Sequence, residues 1–259
     1  NLKKENILFN PIPNFIHLGE HKGNVVSVYK FMIGKRMKFD KLENVNCQKI
    51  GIDLSKKISL IHNSMIGERR VKCELNKMMT IQKLEFDENK NEIKALDGNF
   101  NKIYDVLVSH LGNNEYRYCS SVLVHGALES GHVFTNENYV TSIIDWEHYN
   151  YSENGFLDLS FVYANFVIGY KVVSKEYKNT YMSLFSKKIS FWKSFIESYV
   201  CPVKKKILTN DEIKKIEFAG FLRRYYQTLR DTIILKKHFM KDENFYLNFL
   251  FNIFFKPCG

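Results

Sequence analysis

Apolar positions along the chain change period several times, and each change marks an element. Residues 15 to 33 place Phe15-Ile16-His17-Leu18-Gly19 before a polar turn at 20–24. Val25-Val26-Ser27-Val28-Tyr29-Lys30-Phe31-Met32-Ile33 follows, rich in β-branched and aromatic types, so a hairpin is expected. From Gln48 the apolar positions Ile50, Leu54, Ile58 and Ile61 recur at helical spacing with lysines between them, which predicts a helix ending near Asn63-Ser64. Residues 73–83 and 100–110 read as helices separated by the charged stretch 85–94, expected as a solvated loop or helix end. Two short apolar runs, 121–124 and 140–144, read as buried strands around a loop. Beyond Phe156 the segments 156–170, 178–199, 211–238 and 243–255 carry apolar residues at three and four spacing and are expected to be helical. Asn210-Asp211-Glu212 opens one of them with acids at the positive end of the helix dipole.

Composition narrows this picture. The 259 residues are 45% hydrophobic and 15% aromatic, with four prolines and thirteen glycines, so a globular chain is expected whose domain boundary is a short connection. Five scattered cysteines, 47, 73, 119, 201 and 258, have no Cys-x-x-Cys spacing, which argues against a disulfide framework or zinc site and for a reducing, cytoplasmic setting. No apolar run reaches the length of a membrane span. The net charge of +10 is spread along the chain without a basic stripe interleaved with stacking aromatics, so no specific nucleic-acid partner is expected.

The chemistry concentrates in Val124-His125-Gly126-Ala127-Leu128-Glu129-Ser130-Gly131-His132-Val133-Phe134, followed by Ile143-Ile144-Asp145-Trp146-Glu147 and Leu157-Asp158-Leu159-Ser160. In order and spacing this resembles the aminoglycoside phosphotransferase and choline kinase superfamily. There a strand leads into His-Gly-Asp, an Asn follows after four residues, a second strand ends in Ile-Asp-Trp, and an Asp-Leu-Ala-like element comes later. Histidine in the Asn position is similar to the aminoglycoside 2''-phosphotransferase branch. Ile12-Pro13, the segment Tyr29 to Gly34 and Leu60-Ile61-His62 resemble the family's upstream elements in order.

The resemblance implies an α+β, protein-kinase-like fold: a remnant of the small nucleotide-binding lobe and hinge at 1–34, and a helical large lobe at 35–259 carrying the catalytic loop 124–146. It implies ATP or GTP and Mg²⁺ as cofactors, with Tyr29, Lys30, Phe31 and Met32 offering hinge contacts to the nucleotide. His132 and Asp145 would be the metal ligands, the carboxylate the harder and the imidazole the softer of the two. His125 reads as a loop-fastening residue. The substrate would be a small hydroxylated molecule such as an aminoglycoside, choline or a sugar, with an antibiotic-resistance role in the first case. Glu147, Glu153 and Asp158 are available for a cationic substrate, and Trp146, Tyr149 and Tyr151 for an aromatic cage.

Two departures bear on activity. Ala127 stands where the family has its catalytic Asp and has no proton acceptor, through an engineered replacement or in a natural pseudokinase that serves as a binding or regulatory protein. No room exists before Ile12 for the upstream strands and phosphate-covering loop, so the rest of the small lobe is expected on a separate chain or a removed segment.

Overall fold

The computed structural model describes residues 15–21, 24–29, 34–64, 66–112, 117–169, 177–230 and 243–255. The expected hairpin is present: strands β1 (Phe15–His21) and β2 (Asn24–Tyr29) pair antiparallel, His21 facing Asn24. After Gly34 a two-residue strand β3 (Lys35–Arg36) leads into helix α1 (Asn44–Ser64). Its apolar stripe is where the periodicity put it, with Ile50, Leu54 and Ile58 fully buried and Ile61 nearly so. Lys57, one of the lysines between them, is buried too. Its Nζ donates to Asp53 Oδ2 (2.5 Å) and to the Val140 carbonyl (2.6 Å), while Asp53 accepts from Val140 N–H (2.6 Å). One turn of helix thus satisfies both main-chain groups of a residue in a distant strand, which offsets the cost of burying an ammonium.

Strand β4 (Gly67–Val71) precedes helices α2 (Glu74–Glu88), α3 (Lys90–Leu96) and α4 (Phe100–His110). The charged stretch 85–94 holds the end of α2 and most of α3, a helix end rather than a loop, because Phe86 and Ile93 within it are buried in the core. Asn89 makes the break between α2 and α3, its side chain donating to the Glu85 carbonyl at 2.8 Å.

The next strands are β5 (Arg117–Val124), β6 (Val133–Asn136), β7 (Tyr139–Ile143) and β8 (Asn150–Ser152). The two apolar runs 121–124 and 140–144 fall in β5 and β7, which belong to different sheets: β4-β5-β8 and β3-β6-β7. The loop 125–132 is the bridge between these sheets. All pairings within them are antiparallel.

Helix α5 (Phe156–Val162) continues into a π-helical turn (Tyr163–Ile168), every residue of both being buried. Helix α6 (Tyr177–Ser198), a small hairpin of β9 (Val200–Cys201) and β10 (Lys206–Ile207), helix α7 (Asn210–Leu229) and helix α8 (Glu243–Phe255) complete the described chain. Thr209 caps α7 in a reciprocal arrangement with Glu212, one residue upstream of the expected start. A single aromatic-rich core, including Phe191, Phe195, Phe218, Phe221 and Tyr225, underlies the loop 125–132. Among the described residues, no helix is long and apolar enough to cross a membrane.

Candidate active site

The loop after β5 is held from below by one carboxylate. Asp158, on the first turn of α5 and fully buried, accepts from His125 N–H (2.7 Å), Gly126 N–H (2.9 Å) and His62 Nε2 (3.1 Å). Since the carboxylate accepts from His62 Nε2, that nitrogen carries the hydrogen and Nδ1 accepts from Tyr199 OH (2.8 Å). Burial alone raises the pKa of Asp158, but the His62 hydrogen bond, the neighbouring histidines and the His125 amide outweigh it and the net direction is down. Burial pushes the Tyr199 phenol well up, so it remains a donor. Gly155 is what lets this cluster close: a Cβ there would lie 2.2 Å from His62 Nδ1 and 2.6 Å from Tyr199 OH.

Above this anchor the loop turns sharply. Gly126 has φ +81°, and a Cβ at this position would meet the His148 carbonyl at 2.1 Å. Buried His125 bonds to the Ile144 carbonyl through Nε2 (2.8 Å), which places its hydrogen there and leaves Nδ1 to accept from Ala127 N–H (3.3 Å). Burial holds this imidazole below its ordinary pKa, in keeping with a neutral ring. The loop-fastening role expected for His125 is its observed arrangement. Trp146 packs on the same ring, 4.6 Å between centroids, and donates Nε1–H to the Ile143 carbonyl (3.0 Å).

On the outer side, His132 and Asp145 come together. The His132 Nδ1 faces the Ala127 carbonyl at 3.2 Å and its Nε2 faces a carboxylate, so each ring nitrogen meets an acceptor. This Nε2 lies 3.0 Å from Asp145 Oδ2, with side chains 21% and 40% exposed. Asp145 sits in the left-handed region at φ +67°, a conformation costly for most side chains but more open to aspartate. An imidazole and a carboxylate, both residue types that serve as metal ligands, thus meet at the protein surface. Ala127 lies between the inner and outer clusters with only a methyl group, and the structure brings no carboxylate to that position from residue 127 itself.

The other residues singled out from the sequence fall into place unevenly. Tyr29 ends β2, whereas Lys30, Phe31, Met32 and Ile12-Pro13 lie outside the described residues. Asp158 is sealed in the core and fully engaged, which removes it from the acids available to a substrate. Trp146 is spent on His125, and Tyr151 lies under the Arg69 guanidinium at 3.9 Å, which leaves Tyr149 the exposed aromatic of the three. Glu147 is exposed and pairs with His148 (3.3 Å). The sequence reading gave no role to His62, Tyr199, Asn165 or Arg224. For Asn165 a signal existed, since it is the lone polar residue in the run 161–168.

No family model matches the sequence, and no curated protein does. Solved structures do match its shape. A point mutant of aminoglycoside 2'-phosphotransferase-IIIa in complex with GDP superposes with a TM-score of 0.61 at 12% identity, covering 98% of this chain and 79% of that one. The GDP and kanamycin complex of APH(2")-IIIa gives 0.56 at 12% identity, covering 96% and 76%. A thermostable mutant of APH(4)-Ia with ADP and hygromycin B gives 0.50 at 11%, covering 95% and 77%. The chain has the α+β, protein-kinase-like fold of the aminoglycoside phosphotransferases.

Proposed function

We propose that this protein binds a magnesium complex of ATP or GTP at His132 and Asp145, and belongs by chemistry to the small-molecule phosphotransferases, with phosphoryl transfer crippled by Ala127. The observation that carries this reading is the approach of His132 Nε2 to Asp145 Oδ2 at 3.0 Å, with the other ring nitrogen held on the Ala127 carbonyl. A hard carboxylate fits magnesium when phosphate oxygens and water complete its shell, and the imidazole, the softer ligand of the two, can act through a water. When bound, the ion neutralises charge building on the transferred phosphoryl group.

The remaining tasks fall to the chain. Asp158 and His125 hold the loop so that residue 127 points toward the reacting hydroxyl, and at that position a methyl group takes no proton. Loss of a general base costs roughly 10²–10⁴ in rate, so nucleotide binding outlives turnover. We place the hinge at Tyr29 to Met32, the small-lobe remnant at 1–34 and the large lobe at 35–259. Structures of the same fold that hold GDP or ADP, two of them with kanamycin or hygromycin B, support a small hydroxylated substrate, an aminoglycoside, choline or sugar. Glu147 and Tyr149 are the exposed acid and aromatic near the loop.

Calorimetric titration with Mg·ATP and Mg·GTP tests the binding claim: one nucleotide binds, and Asp145→Ala abolishes the magnesium-dependent part. Absence of binding to either nucleotide overturns the proposal. Ala127→Asp is expected to raise phosphoryl transfer to an alcohol substrate by about 10²-fold or more. The intact anchor around an inert residue 127 also favours a second reading, a catalytically dead binding or regulatory protein. Nucleotide binding with no turnover in Ala127→Asp decides for it.

A further inference from the structure

A second line of hydrogen bonds reaches the outer pair from helix α7. It begins at Arg224 on α7, 3% exposed, whose Nε donates to the Ala164 carbonyl (3.0 Å) and whose terminal nitrogens donate to Gln227 Oε1 (2.7 Å) and Asn165 Oδ1. Asn165, 5% exposed, donates through Nδ2 to the carbonyl of Leu128 at 2.6 Å. Leu128 follows Ala127, whose own carbonyl accepts from His132 Nδ1, and His132 Nε2 meets Asp145. Helix α7 is thereby joined to the outer pair through contiguous polar contacts and one peptide step.

The direction of each bond in this line is determined. A guanidinium has only donors, so the oxygen of the Asn165 amide must face Arg224 and its nitrogen must face Leu128. The π-helical turn makes room for the arrangement. Its widened spacing leaves the Ala164 carbonyl accepting from Gly169 N–H, five residues on (2.9 Å), and from Arg224 at once. An all-apolar residue at 165 would fill the same space in this buried run but would leave the Leu128 carbonyl without its donor.

We infer that Asn165, oriented by Arg224, is a positioning residue that sets the loop 127–132 and so the separation of His132 from Asp145. This rests on the reading of that pair as a magnesium site. Substitutions beyond the ligands themselves commonly weaken metal binding by about 10–100-fold when they orient a ligand.

Asn165→Asp separates positioning from packing. It keeps the size of the side chain and its contact with Arg224, whose charge holds the new carboxyl ionised, but it turns an acceptor toward the Leu128 carbonyl. Hydrogen exchange at the hydrogen-bonded amides of Ala127 and His132 is expected to quicken about tenfold or more, with the amides of α1 unchanged. Nucleotide affinity is expected to fall roughly tenfold with magnesium and to stay at the wild-type value in chelator. Exchange and magnesium-dependent affinity both at wild-type values would overturn the inference. Should Asn165→Asp fail to fold, Asn165→Ala, which removes the donor without adding a charge, decides by the same exchange measurement. If the unaltered protein binds no nucleotide, the proposed function fails, and the exchange arm still decides whether Asn165 positions the loop.

Discussion

Two histidine–aspartate pairs flank the loop 125–132, and their atoms are nearly equidistant: His62 Nε2 to Asp158 at 3.1 Å, His132 Nε2 to Asp145 at 3.0 Å. Their surroundings make them opposites. In the inner pair both side chains are fully buried, the imidazole donates, and the carboxylate accepts two further backbone amides. In the outer pair both side chains reach solvent, and the other ring nitrogen faces the Ala127 carbonyl. The same two residue types therefore make a buried clamp in one place and, in the other, an exposed pair that we propose takes a cation. What separates them is burial and how many other donors the carboxylate already satisfies.

The largest effect is expected where the inner pair is broken. Asp158→Ala leaves two backbone amides and His62 without an acceptor in the core and should lower unfolding free energy by about 3–5 kcal/mol, measured by urea denaturation. An effect under about 1 kcal/mol would show that the clamp holds nothing. Gly155→Ala forces a methyl group onto His62 and Tyr199 and should cost about 1–3 kcal/mol, with no change in the outer pair. A substitution of similar size beside Asp145 should cost far less, and equal costs would erase the distinction drawn here.

Acid titration sharpens the comparison further. The carboxyl of Asp158 is held below its ordinary value of 3.8, so its contribution is fully present above that pH and disappears as pH falls through the lowered folded value. The unfolding free energy of Asp158→Asn should accordingly vary less with pH below about 4 than that of the wild type. The smallest effect on stability is expected from Asp145→Asn, within about 0.5 kcal/mol, since asparagine also tolerates the left-handed region. Its consequence belongs instead to magnesium-dependent nucleotide binding, read by calorimetry.

Much of this molecule could be read from local pattern. The stripe Ile50, Leu54, Ile58 and Ile61 marks α1 because helical spacing and burial are two expressions of one geometry. The string from Val124 to Ser160 resembles, in order and spacing, the catalytic segment of the aminoglycoside phosphotransferases, and that resemblance is what put His132 and Asp145 together. Charge was a poorer guide. The stretch 85–94 is rich in charges and still helical, because two buried side chains, Phe86 and Ile93, suffice to dock it. Lys57 looked solvated among other lysines and is buried.

What tertiary structure alone decided was the division of labour between like residues. Asp158 and Asp145 are both carboxylates, and the sequence reading offered Asp145 to a metal and Asp158 to a cationic substrate. Asp158 became the clamp because the fold brings His62, 96 residues away, and Tyr199 against it. Asn165 and Arg224 met across 59 residues for the same reason. Periodicity records which face of an element is buried, since that depends on neighbours a few residues apart. Which polar group answers another across the core depends on how separate elements pack, and no local spacing carries that information.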